Sequence, residues 1–400
     1  MHIKNKISLY CNWNIFIDQN GNVWLPSVHA QYIKALKNIG FNNILLASKV
    51  NKKKSEEHDY MFSKNEIDVV SISFFTSYLN SFFHLPSIIK SFYLLAKKNT
   101  DYCYIRTYEP FIWILVLMQK IFSSKTKLCM HYISDPKSAI FSNVNSSFLK
   151  KLFLYMTFLP EYYLTNIASI FCNVSSNGPV PIKNTPFFVK NRIKEVIESA
   201  LLESDLLPTP TNTTQKNESN ITNNIASILY VGYIRPSKGI NILVEAANLL
   251  VKDNIENFKI TIIGNGEYLD NVQSTIKKHN LTKFFEFTGY IPFSNELFNY
   301  YRNSDIFINL SPSETGPRVL LEAGIFGCQL ISTKVGYSKE IIQDNGILID
   351  INNSQQAKEA LKKLIALPFK SRGDTFNLNY RLAKYTTENF FKAILFKKSK

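Results

Sequence analysis

Residues 228–264 read ILYVGYIRPSKGINILVEAANLLVKDNIENFKITIIG. Two runs rich in β-branched and aromatic residues, ILYVGYI (228–234) and FKITIIG (258–264), bracket INILVEAANLLVKD, whose apolar residues recur three and four apart. Strand, amphipathic helix and strand at this spacing predict a parallel βαβ unit in a sheet covered on both faces. The alternation continues through FFEFTGYI (284–291), DIFINLS (305–311), QLISTKV (329–335) and GILIDI (346–351), with a further helix in YLDNVQSTIKKHN. Ligands of such sheets bind beyond the carboxyl ends of the strands.

Working outward, residues 208–224, PTPTNTTQKNESNITNN, contain no aromatic and a single aliphatic side chain. Such a stretch cannot repay its ordering entropy by burial and reads as a linker or loop. Before it, ISLYCNW (7–13), NILLAS (43–48), DVVSISFF (68–75), YCYIRTY (102–108), KLCMHYI (127–133) and SIFCNVS (169–175) are strand candidates, with helices over 27–39 and 79–98. The expected architecture is α/β: two doubly wound Rossmann-like domains facing a central cleft. The domains are placed at 1–205 and 226–370, joined by a flexible segment over 206–225. The amphipathic YTTENFFKAIL lies within 371–400, a helical segment that pattern alone assigns to neither domain.

Length and composition narrow the class. Four hundred residues, 45% apolar and 19% charged, describe a globular chain of two or three domains. Lys and Arg outnumber Asp and Glu by 46 to 31, a net charge of +15, of which +11 falls in residues 1–200 and +4 in 201–400. Cys11, Cys103, Cys129, Cys172 and Cys328 are scattered without CxxC spacing, which excludes a disulfide framework and a zinc finger and fits a reducing compartment. The opening MHIKNKISLYCNW lacks a signal-peptide core, and the longest strongly apolar run, Phe111 to Met118, is far short of the ~18 residues of a spanning helix. A cytoplasmic protein, soluble or at the inner face of the plasma membrane, is expected. The basic residues are dispersed and form no nucleic-acid-binding signature, so no nucleic-acid partner is expected.

Three segments of the second half converge on one kind of ligand. Gly232-Tyr-Ile-Arg-Pro-Ser-Lys-Gly239 leaves the first strand and opens a helix, where backbone can approach a phosphate and Arg235 and Lys238 supply charge. Gly264-Asn-Gly266 follows the second strand; lacking a third glycine, it is a tight turn rather than a dinucleotide fingerprint. Pro312-Ser-Glu-Thr-Gly-Pro-Arg-Val-Leu-Leu-Glu-Ala323 places Pro317 at the first position of a helix expected to run to about Gly327. That helix start, Gly316 to Arg318, suits a diphosphate. Glu314 and Glu322 bracket it, positioned to accept hydrogen bonds from a sugar on one side and a ribose on the other.

With GYIRPSKGI, IIGNGE and FTGYIP upstream and STKVGYSKEII and NGILID downstream, this E-x7-E element resembles the donor domain of family 4 (group 1) glycosyltransferases of the GT-B fold, over about residues 226–366. In the first half the resemblance rests on the opening strand, the loop at Gly21, YIRTYEP, MHYISDP and NVSS. It implies a metal-independent retaining transferase without a cofactor, whose second domain holds a UDP- or GDP-sugar and whose first holds a glycan or lipid-linked acceptor. It further implies that Lys238 binds the diphosphate, Glu314 the transferred sugar and Glu322 the ribose. Gly21 would let a first-domain loop approach the phosphates, and His131 would stand at the reacting carbon. One departure is Tyr233, where the family carries arginine; Arg235 and Arg318 are the candidate substitutes. A surface-polysaccharide or lipopolysaccharide pathway is the expected setting.

Plainer readings attach to the same residues. A strand-end histidine such as His131 is often a core residue, Asp135 reads as a turn residue ahead of Pro136, and His29 as structural. The stretches 77–99 and 146–163 mix Phe, Leu and Tyr with Lys, which fits core helices or a surface meeting anionic lipid. Two alternatives for the whole chain stay open: another GT-B chemistry, such as an epimerase or phosphorylase, and a non-catalytic polyanion- or membrane-binding protein.

Overall fold

The structure, a computed structural model, describes residues 5–142, 147–206, 225–343, 345–367 and 381–396. Nearly all of the expected linker therefore lies outside the described residues, as do residues 371–380 of the last segment. The chain forms two compact units, one ending at Ala200 and resuming at Thr387, the other running from Leu201 to Thr386.

The first unit is built on a nine-stranded sheet. Its strands are β1 (Asn5–Ile17), β2 (Val23–Leu25), β3 (Phe41–Asn51), β4 (Tyr60–Phe62), β5 (Asp68–Ile72), β6 (Tyr102–Thr107), β7 (Lys127–Tyr132), β8 (Asn173–Asn177) and β9 (Lys194–Val196). Seven of them run parallel in the order β5-β3-β1-β6-β7-β8-β9, while β2 and β4 add an antiparallel extension beside the end of β1. The helices are α1 (Ser27–Asn38), α2 (Leu85–Lys97), α3 (Ile112–Phe122) and α4 (Phe148–Ala168), besides shorter turns. Ile88, Phe92, Leu95, Ile112 and Leu115 of α2 and α3 pack with Ile105, Met130 and Tyr132 of the sheet in one apolar core.

The second unit holds six parallel strands, β10 (Ala226–Val231), β11 (Phe258–Ile263), β12 (Phe285–Gly289), β13 (Ile306–Asn309), β14 (Gln329–Thr333) and β15 (Gly346–Ile349), in the order β12-β11-β10-β13-β14-β15. Between them lie α5 (Ile240–Lys252), α6 (Leu269–Lys278), α7 (Asn295–Asn303), α8 (Arg318–Ile325), α9 (Ser338–Ile342) and α10 (Ser354–Ile365). Leu243, Val244 and Ala247 of α5, Val272 and Ile276 of α6, and Leu361 and Leu364 of α10 share one core with Ile228, Ile260 and Ile308 of the sheet. Every residue of β13 is buried, as a strand covered on both faces requires. The strand order reverses between β10 and β13, so the loops leaving these neighbours go to opposite faces and open a crevice at their carboxyl ends.

From Thr387 the chain returns to the first unit as α11 (Thr387–Leu395). Phe390 and Phe391 meet Tyr32 and Tyr104 edge-on, Thr387 donates to the Ser199 carbonyl at 3.1 Å, and Asn38 donates to Glu388 at 2.8 Å. Together α1 and α11 cover the sheet face opposite α2 and α3. Among the described residues, no helix is long and apolar enough to cross a membrane.

Candidate functional site

The crevice at the β10/β13 switch point gathers the charged residues singled out from sequence. After β10 the chain passes Gly232, a single 3-10 turn over Pro236–Lys238, and Gly239 before α5 begins. Lys238 therefore stands two residues ahead of the helix. After β13 the loop carries Glu314 to Pro317 ahead of α8, which starts at Arg318, one residue later than expected, and ends at Ile325. Pro317 is buried, and the Gly316 carbonyl accepts from the Arg318 amide at 3.0 Å. Lys238 Nζ and Glu314 Oε1 form a close, partly exposed ion pair joining the two loops.

Glycines make this convergence possible. A Cβ built on Gly239, whose φ is +70°, would lie 2.0 Å from the Leu310 carbonyl oxygen, so only glycine lets the first loop lie against the end of β13. Gly264 and Gly266 are pressed equally hard against the Gly232 and Ile234 carbonyls, at 2.1 Å each, and the Ile234 amide donates to Asn265 O at 2.9 Å. On the other side, a Cβ on Gly336 would lie 2.6 Å from the Thr315 carbonyl. Four loops thus wall one site with backbone, leaving Lys238, Glu314, Arg235 and Tyr233 as its side chains. Arg235 is exposed and its guanidinium lies 5.9 Å from the Tyr233 ring, so the two residues of the departure from the family pattern pair with each other.

Glu322 is placed differently from Glu314. Only 4% of it is exposed, and it accepts a hydrogen bond at 2.9 Å from the hydroxyl of Tyr301 on α7. Burial raises its carboxyl pKa, opposed by Arg318 one helical turn before it and by the Tyr301 hydrogen bond. The sequence carried no pattern pointing to Tyr301, because its link to Glu322 is made by the packing of α7 on α8.

In the first unit, His131 does not stand open to a reacting group. Met130 and Tyr132 turn into the α2/α3 core, so strand alternation sends His131 to the other face, beneath α11. It is fully buried, with Nδ1 2.9 Å from Ser175 Oγ, the ring stacked on Tyr104 and Phe390 edge-on at 5.1 Å. Burial holds its pKa down at about 4. Gly21 occupies the turn of the β1–β2 hairpin, where its amide donates to Asp18 O at 3.0 Å, and Asp18 also accepts from Asn20, Asn22 and Trp24. His29 stacks on Trp13 at 4.9 Å, and Asp135 directly precedes a short helix begun by Pro136.

Sequence reasoning missed two ion pairs here. Arg106 lies 3.2 Å from Glu198, both almost fully buried, with Tyr32 donating to Glu198 at 2.7 Å. Lys49 lies 3.3 Å from Glu109, just beyond the end of β6. The available signal was an arginine inside the buried strand YCYIRTY.

Comparison with known proteins agrees with this geometry. Residues 211–387 match the profile of the family described as glycosyl transferases group 1. An uncharacterized glycosyltransferase of Methanocaldococcus jannaschii is 33% identical over 139 residues, 34% of this chain and 37% of that protein, so the match spans well under half the relative's length. The N-acetylgalactosamine-N,N'-diacetylbacillosaminyl-diphospho-undecaprenol 4-alpha-N-acetylgalactosaminyltransferase of Campylobacter jejuni is 26% identical over 255 residues, covering 63% of this chain and 64% of its own. Among solved structures, HepE of Anabaena in complex with UDP and glucose superposes with a TM-score of 0.65 at 14% identity, covering 96% of this chain and 97% of that one. The chain therefore has the two-unit α/β fold of the GT-B glycosyltransferases, and over residues 211–387 it is similar to their group 1 family.

Proposed function

We propose that the protein is a glycosyltransferase that takes a sugar from a nucleotide-sugar donor in the second unit and passes it to a hydroxyl of a glycan or lipid-linked acceptor. The observation that carries the reading is the Lys238–Glu314 pair at the β10/β13 switch point, walled by loops in which Gly239, Gly264 and Gly266 leave no space for a side chain. A cation and a carboxylate side by side, against exposed backbone, match a ligand whose diphosphate adjoins a polyol. The similarity of residues 211–387 to group 1 transferases supports the same reading. The UDP complex of HepE supports a nucleoside diphosphate, UDP or GDP, as the part held.

In this reading the donor separates the ion pair: Lys238 turns to the diphosphate, and Glu314 accepts from hydroxyls of the sugar. Arg235, steadied by Tyr233, adds charge on the phosphate side, and Arg318 does so from the start of α8. Glu322 meets the ribose with the carboxylate oxygen that Tyr301 does not hold. As the bond from the anomeric carbon to the phosphate oxygen breaks, negative charge grows where Lys238 already stands. The acceptor oxygen bonds to the same face of that carbon, and its proton passes to the departing phosphate oxygen, so configuration is retained and no metal takes part. His131 has no part in these steps, because Phe390 and Tyr104 enclose its ring. Gly21 is assigned the shape of its hairpin, with approach to the phosphates as its further role. We place the reaction in surface-polysaccharide or lipopolysaccharide assembly at the cytoplasmic side of a membrane, a setting supported by the undecaprenol-linked substrate in the name of the Campylobacter relative.

The test is calorimetric titration with UDP-, GDP- and ADP-sugars. One of them should bind, and Lys238→Ala and Glu314→Ala should each weaken it at least tenfold. Absence of binding across the panel, or unchanged affinity in both variants, overturns the reading. Conversion of the donor without an added acceptor identifies an epimerase instead.

A further inference from the structure

Large apolar side chains are exposed on this protein very unevenly. Of the 26 that stand open among the described residues, 22 lie between Met61 and Phe187. They concentrate on α4. Phe148, Leu149, Leu152, Phe153 and Met156 are 41–77% exposed, and their spacing puts them along one side of the helix. None of residues 148–160 is buried, whereas Glu161, Tyr162, Thr165, Asn166 and Ala168 all are.

Geometry explains the division. α4 has 21 residues, about 31 Å, while β7 and β8, which it connects, have six and five residues, about 20 Å or less. The helix feeds into β8 through its carboxyl end, so its first turns overshoot the sheet at the carboxyl edge of β7. Its second half is fixed to the unit by Glu161, which accepts from the Phe111 amide at 2.8 Å and Trp113 Nε1 at 3.0 Å at the start of α3. Pro160, which removes one backbone hydrogen bond, sits at the boundary between the packed and the projecting halves.

On α4 itself every charged residue before Glu161 is basic, Lys150 and Lys151, and the surrounding sequence is basic too. Residues 69–194 contain 14 Lys and Arg and only four carboxylates, Asp101, Glu109, Asp135 and Glu161. Asp135 and Glu161 are buried and Glu109 pairs with Lys49, so Asp101 is the single exposed acid in this range. Lys150 is exposed and flanks the apolar stripe. An apolar face of this extent is costly in water, and lysines without carboxylates exclude a mixed-charge protein partner less well than they attract a continuous anionic surface.

We propose that the projecting half of α4 docks the first unit on an anionic lipid bilayer, its Phe and Leu side chains entering the headgroup boundary and its lysines meeting lipid phosphates. Docking stands on this surface alone. Its corollary, that the acceptor is carried by lipid, rests on the glycosyltransferase reading above: the inserted turns lie at the carboxyl edge of the sheet, where a doubly wound unit takes its ligand.

Flotation of the full chain with phosphatidylcholine vesicles containing 30% phosphatidylglycerol, and with phosphatidylcholine alone, tests the docking. The protein should float with the anionic vesicles, at least tenfold less with the neutral ones, and partly less in 0.5 M salt. Leu149→Glu/Phe153→Glu should lower flotation at least tenfold while leaving the circular dichroism spectrum and nucleotide-sugar affinity of the second unit unchanged. Flotation of that variant equal to the parent, or no flotation of the parent, overturns the proposal. Concentration-dependent dimerisation that the same substitutions abolish, without lipid binding, also overturns it and identifies a second copy as the occupant. Loss of nucleotide-sugar binding in the parent would remove the transferase reading and its corollary while leaving docking to be judged by flotation.

Discussion

Lys238 and Glu314 owe their meeting to two loops, and in the proposed reaction each contributes a different half of the recognition. Replacing Lys238 by Ala leaves developing phosphate charge unmatched, and transfer should fall on the order of 10²–10³-fold, corresponding to about 3–4 kcal/mol for one lost electrostatic donor. Glu314→Gln keeps the shape but lowers acceptor strength toward sugar hydroxyls, so initial rates should fall less than for Glu314→Ala. At His131 the expected effect is on stability. Its folded pKa, held by burial at about 4, lies below the ordinary 6.5. Between those values the unfolded chain binds the proton and the folded one does not, so stability falls as pH drops from about 6.5 to about 4. The loss is about 3 kcal/mol at most. Urea midpoints recorded across that range should slope downward for the parent, and the slope should flatten in His131→Gln. An unchanged slope would show that another group titrates. Residue chemistry at the β10/β13 crevice was legible in the sequence because glycine, lysine and glutamate there follow strand ends. The position of His131 was half legible: alternation with Met130 and Tyr132 gives its face, but its cover comes from Phe390, more than 250 residues away.

Among the elements, the parallel strands were the most legible. A strand buried on both faces must be a continuous apolar run, and each of the six in the second unit overlaps the run from which it was expected. The three-residue strands β2, β4 and β9 were passed over, since their pairing with neighbours, not their composition, makes them strands. The composition of SIFCNVS predicts one strand, yet Ser169–Phe171 forms a 3-10 turn closing α4 and β8 starts only at Asn173. The stretch 146–163 shows the same limit from the other direction, because apolar composition predicts a helix without saying that its first half finds no core. The loop after β10 gives a test at this scale. Gly239→Ala places a methyl group 2.0 Å from the Leu310 carbonyl oxygen, while the same change at Gly40 meets nothing within 4 Å, although both glycines have positive φ. Gly40→Ala should cost about 1 kcal/mol from backbone conformation alone. Gly239→Ala should cost at least about 2 kcal/mol and abolish nucleotide binding, as measured by thermal melts with and without a nucleotide sugar.

For the whole molecule, what composition could not supply is the route of the chain. The first unit is not one continuous segment, because α11 belongs to it while everything from Leu201 to Thr386 belongs to the second. Phe390, Phe391, Ile394 and Leu395 are all buried. At roughly 1.5–3 kcal/mol for each such side chain, α11 contributes an amount comparable to the whole stability of a domain. A chain ending at Thr386 should therefore lose the cooperative melting of the first unit and expose Tyr32 and Tyr104 to proteases, while the second unit keeps the nucleotide affinity proposed for it. Retention of two melting transitions at parental temperatures would show that α11 is dispensable. This routing also sets an order of events during synthesis. The ribosome delivers the nine strands of the first sheet early, but the helix that seals Tyr32, Tyr104 and His131 emerges only after the entire six-stranded sheet has left the exit tunnel. Until then the nascent first unit carries an open aromatic face, a binding surface for chaperones that recognise unfinished cores.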